Sequence, residues 1–218
     1  MRCKELTLFF TIMILKAYNR ELHSKQIDHI VQCLRHGGII VYPTDTIYGM
    51  GVGLSNIRSI NRLAQIKYRR KEDLNYTLLC YDLSHLSRYC LPISNSVFRL
   101  IKSLTPGPYT FVLNANNEVP KLFQGKKKTI GIRIPDNKIV NQIVEALGEP
   151  LLNTSLDIEN DRTEYLTEPE SIHEKFGKQV DLVIDGGIGQ VQYSTVLDCT
   201  GNNIEIIRQG IGQVPPLD

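Results

Sequence analysis

The sequence predicts an α/β fold with a mixed β-sheet in a single domain. Three observations predict it. Short apolar segments rich in β-branched residues alternate with segments of helical periodicity through the first two thirds of the chain. Strand-like segments then cluster in the last third, separated by glycine turns. The 218 residues, 42% of them hydrophobic and 22% charged, suit one domain of ordinary composition, and no repeat or linker divides them.

The helices are predicted from the residues at their ends. Capping side chains precede the apolar periodicity, and glycine or a charged loop follows it. The predicted helices begin at Ser24, Asn56, Asp82 or Ser84, Ser94, Asn137 and Pro169. The predicted strands are 13–18, 39–42, 76–81, 109–113, 129–134, 151–154, 182–184, 195–197 and 204–208.

One stretch of the chain, residues 36–53, is typical of a ligand-binding strand. The apolar run 39–42 ends at a proline, and Thr44, Asp45 and Thr46 follow at its carboxyl end. Open α/β sheets place ligands at the carboxyl ends of their strands. We interpret the glycine-spaced segment that begins at Gly49 as a loop.

Composition and cysteine usage exclude several classes of protein. The net charge of +2 is small, so any anion site must be a local concentration of cations. The five cysteines include no CxxC pair, which argues against a disulfide framework or a zinc site and favours a cytoplasmic protein. No P-loop, HExxH or GxSxG motif occurs. The apolar run 6–15 is too short to span a membrane, and we expect residues 1–12 to form an extension ahead of an edge strand.

Polar residues follow the predicted strands at several points. Cationic forks combined with hydroxyl donors are what a phosphate-bearing ligand requires. Thr129 and Arg133 stand four apart in one strand, so their side chains share one face. The other residues of this kind are Thr46, the basic residues of 67–71, Thr154, Ser155, Ser194, Thr195 and Arg208.

Seven motifs, occurring in order, carry a resemblance to a known family. They are GGIIVYPTDTIYGMG, IKYRR, PGPYTFVL, KKTIGIRIPD, GEPLLNTS, STVLD and IIRQGIG. From about residue 13 to residue 212 the chain resembles the YrdC/YciO superfamily of threonylcarbamoyl-AMP synthases, and the PTDT and TSL segments are more similar to the YciO branch. The extent of this resemblance implies a domain over residues 13–212, followed by a tail over 213–218. The resemblance implies a twisted open sheet with flanking helices and a concave basic groove.

The resemblance also implies an activity. Such synthases convert L-threonine, bicarbonate and ATP to threonylcarbamoyl-adenylate and pyrophosphate, with Mg²⁺ expected alongside ATP, and the product feeds the modification of tRNA. Members are also described as binding double-stranded RNA. The implied threonine contacts are Thr46, Cys80, Arg133, Ser155 and Ser194. The implied nucleotide contacts are Lys67, Arg69, Asn75, Thr129, Asp157 and Arg208, with Lys67, Arg69 and Ser155 acting in catalysis.

The chain departs from the synthase pattern at two of these positions. Synthases have histidine where this chain has Cys80, and asparagine where it has Asp157. Three hypotheses therefore stand. The first is a synthase-like nucleotidyltransferase, and the second is a tRNA-binding or duplex-RNA-binding module without that chemistry. The third is a hydrolase of a threonylcarbamoyl group in which Asp157 or Cys80 positions water.

Overall fold

The computed structural model describes residues 13–17, 21–67, 76–121, 123, 128–156, 166–201 and 203–216. Within these ranges the chain forms one ten-stranded sheet and six helices. The strands are β1 (Met13–Lys16), β2 (Ile40–Tyr42), β3 (Gly49–Gly53), β4 (Thr77–Leu79), β5 (Tyr109–Asn114), β6 (Thr129–Arg133), β7 (Leu151–Ser155), β8 (Leu182–Asp185), β9 (Thr195–Asp198) and β10 (Glu205–Arg208). The helices are α1 (Ser24–Arg35), α2 (Ile57–Ile66), α3 (Leu83–Ser87), α4 (Asn95–Leu104), α5 (Lys138–Leu147) and α6 (Pro169–Phe176).

The strands form a single open sheet that mixes parallel and antiparallel pairs. Their spatial order is β1-β8-β2-β3-β7-β4-β6-β5-β9-β10, so β1 and β10 are the two edges. Within the described ranges, four neighbouring pairs are parallel and five are antiparallel. The predicted single-domain α/β fold with a mixed open sheet is confirmed.

Side-chain caps begin four of the helices where the sequence predicts them. Asn56, Asp82, Ser94 and Asn137 each accept a hydrogen bond from the backbone N–H three residues later. The first helix differs from its prediction, because Ser24 is already helical and His23 occupies the capping position. None of the helices in the described ranges has the length and apolar character needed to cross a membrane.

The structure corrects one predicted element, since residues 49–53 form strand β3 and not a loop. The ring of Tyr42, on neighbouring β2, lies across the glycines of β3. A Cβ atom on Gly51 would come within 2.6 Å of the Tyr42 hydroxyl oxygen. The glycines of β3 therefore make room for a buried ring, although glycine in a sequence ordinarily indicates a break in a strand.

The sheet is covered differently on its two faces. One face is apolar from β8 to β9, with Leu78, Phe111 and Ile132 fully buried against a core that includes α2, α4 and α6 residues. On the other face, α1 and α5 pack only over part of the sheet, where they cover a second set of residues. That set is Ile40, Tyr42, Leu79, Leu151, Leu182 and Ile184.

The remainder of this second face, which we call the open face, is half-buried and lies on central strands. It comprises Thr77, Val112, Thr129, Gly131 and Val196. Side chains of central strands are ordinarily buried on both faces when helices cover both. A partly exposed face in the middle of a ten-stranded sheet is therefore where a ligand can reach the strands.

Helix α3 contains a buried histidine, His85. His85 is 2% exposed, and its ring packs against those of Tyr81 and Tyr89. Neither ring nitrogen has a hydrogen-bond partner within the part of the chain that the structure describes. Burial lowers the pKa of His85, the charge of Arg88 lowers it further, and Asp82 opposes both.

We expect His85 to make the protein less stable in mild acid. The pKa of His85 in the folded chain lies below the ordinary value of 6.5, so the folded state holds the neutral ring while the unfolded chain binds a proton. The stabilisation that comes from the neutral His85 ring is fully present above pH 6.5. As the pH falls below that value, the free energy of unfolding decreases by up to about 1.4 kcal/mol per pH unit. Urea unfolding between pH 5 and 7 measures this slope.

The matched variants are His85→Phe and His29→Gln. The first keeps an aromatic ring between the two tyrosines and removes the titrating group, so it should flatten the pH dependence. The second removes an exposed histidine and should leave the slope unchanged. If the free energy of unfolding depends on pH equally in wild type and in His85→Phe, then His85 is not the cause of the pH dependence.

Candidate functional site

A buried arginine at the end of β6 anchors the candidate site. Arg133 is 6% exposed, and its Nη1 donates a hydrogen bond of 2.9 Å to the Thr46 hydroxyl. Its Nη2 donates to Oδ1 of Asp45, forming an ion pair. Thr44 orders this turn, because its hydroxyl donates to the Ile47 carbonyl at 2.8 Å and lies 3.0 Å from the Thr46 hydroxyl. The turn after β2 and the end of β6 therefore meet at one guanidinium.

A second polar group lies at the start of β9. The hydroxyl oxygens of Ser194 and Thr110 are 2.9 Å apart, and both side chains are buried. Arg208 donates two hydrogen bonds to the Ser194 carbonyl, of 3.0 and 3.2 Å. Its guanidinium also lies over the Tyr193 ring, 5.0 Å from the centroid. Stacking and hydrogen bonds together hold this exposed arginine in one orientation.

A third cation lies at the end of α2. Nζ of Lys67 donates a 2.8 Å hydrogen bond to the Ser155 carbonyl, which joins the end of this helix to the end of β7. Ser155 pairs with Gly49 across the sheet, so it lies beside the turn that carries Thr46. The lysine and the serine are 88 positions apart in the chain, so only the fold brings them together.

Strand register places these groups on the open face. Residues directly opposite each other on neighbouring strands point to the same side of a sheet. One such row runs across five strands through Gly51, Asn153, Thr77, Gly131 and Val112. A Cβ atom on Gly131 would lie 3.2 Å from the Thr110 methyl and 3.3 Å from the Thr77 hydroxyl, so the side chains around it crowd together.

The alternation of side chains along each strand shows on which face the predicted site residues lie. Arg133 and Thr129 lie two residues on either side of Gly131, Ser155 lies two residues after Asn153, and all of them share the open face. Burial lowers the pKa of Arg133, Asp45 raises it, and the charge of Arg208 lowers it. Phe111 of β5 pairs with Ile132 of β6, so Thr110 of the second polar group and Arg133 of the first lie on adjacent strands. Thr129 stands at the far end of β6, roughly 13 Å along the strand from Arg133.

Cys80 is placed apart from this cluster. Its side chain is fully buried among apolar residues of the opposite face, one position beyond Leu79, which points to the α5 side. Burial raises the pKa of the Cys80 thiol. The structure thus favours neither a threonine contact nor a water-positioning role for Cys80. Arg69, Asn75 and Asp157 lie outside the described residues.

Three residues of the site were not assigned to it from the sequence. The sequence position of Asp45, a carboxylate at the end of a buried strand, indicates a role in binding. The sequence does not show which cation Asp45 contacts. Thr110 and Tyr193 could not be recognised from the sequence, because the role of Thr110 depends on β5 lying beside β9 and that of Tyr193 on β10 lying beside β9. The described residues include no group of three or more histidine, cysteine, aspartate or glutamate side chains that could hold a metal ion.

Comparison with known proteins identifies the family. The family model for Sua5, YciO and YrdC proteins, described as "Telomere recombination", matches residues 32–210. The chain belongs to the Sua5/YciO/YrdC family. The resemblance seen in the seven motifs is thereby confirmed.

Relatives of the chain include both branches of this family. YciO of Escherichia coli K12 is 43% identical over 192 residues, which cover 87% of this chain and 91% of YciO. The threonylcarbamoyl-AMP synthase of Vibrio vulnificus YJ016 is 30% identical over 166 residues, covering 75% of this chain and 88% of the synthase.

Solved structures of the family share the fold. The crystal structure of E. coli YciO superposes with a TM-score of 0.86 at 38% identity, covering 94% of this chain and 98% of that one. P. abyssi Sua5, in a crystal structure complexed with L-threonine, superposes with a TM-score of 0.81 at 24% identity, covering 91% of this chain and 57% of that one.

Proposed function

We propose that this protein is a threonylcarbamoyl-AMP synthase-like nucleotidyltransferase. It would join L-threonine, bicarbonate and ATP into threonylcarbamoyl-adenylate, release pyrophosphate and supply tRNA modification. The observation that carries the proposal is that Arg133, bonded to Thr46, and Thr110, which contacts Ser194 beside Arg208, lie on adjacent strands of the sheet. The synthase and the threonine-bound Sua5 among its relatives support this choice of substrates.

The two arginines would hold the two anionic parts of the reactants. The guanidinium of Arg133 is a planar set of donors that is largely shielded from solvent, which suits the carboxylate of threonine. Arg208 is exposed and held by Tyr193 and Ser194, so it can meet nucleotide phosphate without losing further side-chain freedom. Lys67 would add a point charge beside the reacting phosphate, where charge develops as pyrophosphate leaves.

The chemistry requires no covalent enzyme intermediate. The threonine nitrogen forms a bond to the carbon of bicarbonate, which loses water, and a carbamate oxygen then attacks the α-phosphorus of ATP. The bond between the α-phosphorus and the bridging oxygen breaks, and pyrophosphate leaves. The protein's part is to orient the reactants and neutralise charge. Mg²⁺ would arrive on the phosphates of ATP, because nucleotide-bound Mg²⁺ needs few protein ligands.

The described cysteines fit a cytoplasmic setting for this reaction. Cys33, Cys80, Cys90 and Cys199 are free and buried thiols. Reduced cysteines are typical of the cytoplasm. We therefore place the proposed activity there.

Pyrophosphate release tests the proposal. We expect release to require threonine, bicarbonate and ATP together, and to stop when any one is omitted. Arg208→Gln should raise the KM for ATP about tenfold to a hundredfold, because it removes a charged hydrogen-bond donor. Arg88→Gln is the matched control, since Arg88 also lies over a tyrosine ring, 5.8 Å from the Tyr89 centroid, but outside the polar cluster.

Two outcomes would contradict the proposal. The first is the absence of threonine-dependent pyrophosphate release by the folded wild-type protein. The second is an equal effect of Arg208→Gln and Arg88→Gln on the KM for ATP, which would remove Arg208 from the nucleotide site.

A further inference from the structure

The ion pair at the centre of the site is incomplete on both sides. Arg133 uses Nη1 for Thr46 and Nη2 for Oδ1 of Asp45. Its Nε is buried and has no hydrogen-bond partner within the described ranges, and the same holds for Oδ2 of Asp45. One donor and one acceptor are thus left over on two oppositely charged groups that touch each other.

Unpartnered buried polar atoms are uncommon and call for an explanation. Arg133 and Asp45 would satisfy each other better in a two-pronged pair, with both carboxylate oxygens facing the guanidinium. The single-pronged arrangement leaves a cationic donor and an anionic acceptor side by side. A molecule that carries an anion and a cation a few bonds apart complements both, and an α-amino acid is such a molecule.

The pair lies close to the protein surface, but its two unpartnered atoms are covered, so a ligand would reach them only once the Asp45 side chain has turned. The side chains of Arg133 and Asp45 are 7% and 12% exposed, so the pair lies just beneath the surface of the open face. Asp45 sits in the turn between β2 and β3, and not inside a strand, so its side chain can turn without breaking sheet hydrogen bonds. The hydroxyls of Thr44 and Thr46 lie beside it and offer neutral partners to a polar side chain.

We propose that Asp45 is a specificity-determining residue that binds the α-amino group of the amino-acid substrate while Arg133 binds its carboxylate. The inference rests on the proposed function, because it concerns the same amino-acid site. Asp45 thereby makes the site selective for zwitterions, and a carboxylate without an amino group binds poorly. A bound water could satisfy both atoms as well, but water would give no preference for an amino group.

Calorimetric titration with two ligands tests the role of Asp45. The ligands are L-threonine and 3-hydroxybutyrate, which is threonine without its amino group. We expect wild type to bind threonine about tenfold to a hundredfold more tightly, the value of one hydrogen bond between charged groups. Asp45→Asn should lose that preference by weakening threonine binding and leaving 3-hydroxybutyrate unchanged.

Asp181→Asn is the matched control for this variant. Asp181 also pairs with an arginine, Arg62, at 3.1 Å, but at the opposite end of β2, where it accepts a hydrogen bond from the Ile39 N–H. This substitution should leave the preference for threonine intact. Circular dichroism at the temperature of the titration establishes that each variant is folded.

Three results would overturn the inference. The first is equal affinity of the wild type for the two ligands, a comparison that needs no variant to fold. The second is a loss of affinity for both ligands by the same factor in Asp45→Asn, which would mean that Asp45 only supports the structure of the site. The third is the absence of any binding of L-threonine.

The proposed function is judged separately, by pyrophosphate release. A preference for the amino group that depends on Asp45, without pyrophosphate release, would support the zwitterion site and reject the synthase. Pyrophosphate release together with equal affinity for the two ligands would support the synthase and reject the zwitterion site.

Discussion

Replacing Arg133 by methionine is expected to lower the free energy of unfolding by about 3–5 kcal/mol. It should also slow threonine-dependent pyrophosphate release by about a hundredfold or more. The loss of stability follows because Asp45 would remain largely buried without its partner cation. The loss of activity follows because the threonine carboxylate would lose its only proposed cationic contact.

A double variant separates these two effects. Replacing a buried ion pair by apolar residues of similar size is often neutral for stability. Arg133→Met combined with Asp45→Leu should therefore recover most of the lost unfolding free energy and none of the activity. Urea unfolding and the pyrophosphate assay measure the two quantities. Additive losses of stability in the double variant would show that the pair is not coupled in the folded protein.

Arg62→Met is the control for the single substitution. Arg62 also pairs with an aspartate, but its side chain is 46% exposed. Exposed ion pairs contribute about 0–1 kcal/mol, so this variant should be close to wild type in stability and in activity.

The second large effect is expected at Gly51. Gly51→Ala should lower the free energy of unfolding by about 2–5 kcal/mol, because its Cβ would lie 2.6 Å from the Tyr42 hydroxyl oxygen and 3.2 Å from the Leu152 carbonyl oxygen. Tyr42 is fully buried beneath α1 and α5, so its ring has no space into which to move. Its hydroxyl donates a 2.7 Å hydrogen bond to Asn153, which the displacement would break.

Two comparisons establish this cause by urea denaturation. Gly201→Ala should be nearly neutral, because its Cβ would meet nothing closer than 3.8 Å. In a Tyr42→Phe background the oxygen that meets the new methyl is absent, so Gly51→Ala should be less damaging than in wild type. Equal effects in the two backgrounds would mean that the Tyr42 hydroxyl is not the obstacle.

Much of the fold followed from residues close together in the chain. The caps at Asn56, Ser94 and Asn137 stand where the sequence predicts helices to begin, because a side-chain oxygen and the N–H three residues later are local partners. The mixed sheet followed from the alternation of strands and helices, and the family followed from seven ordered motifs. Gly49 and Gly51 misled the prediction of β3, because glycine is a breaker locally but here accommodates a ring from another strand.

The site was predictable as a set of residue types but not as an arrangement. Arg133 and Thr46 were both candidates, yet their contact spans 87 positions, and that of Thr110 with Ser194 spans 84. Cys80 was assigned to the threonine site because it occupies the position of a synthase histidine. In the structure its side chain lies in the apolar core on the opposite face of the sheet, because successive residues of a strand point to opposite faces.

The sequence by itself determined most of the elements, most of their caps and the family, since these depend on propensities, hydrogen bonds and motifs within a few residues. Only the tertiary structure decided which side chains meet at the open face. Strand order and register are set by packing between segments far apart in the chain, and a shift of one residue in register exchanges one face of a strand for the other.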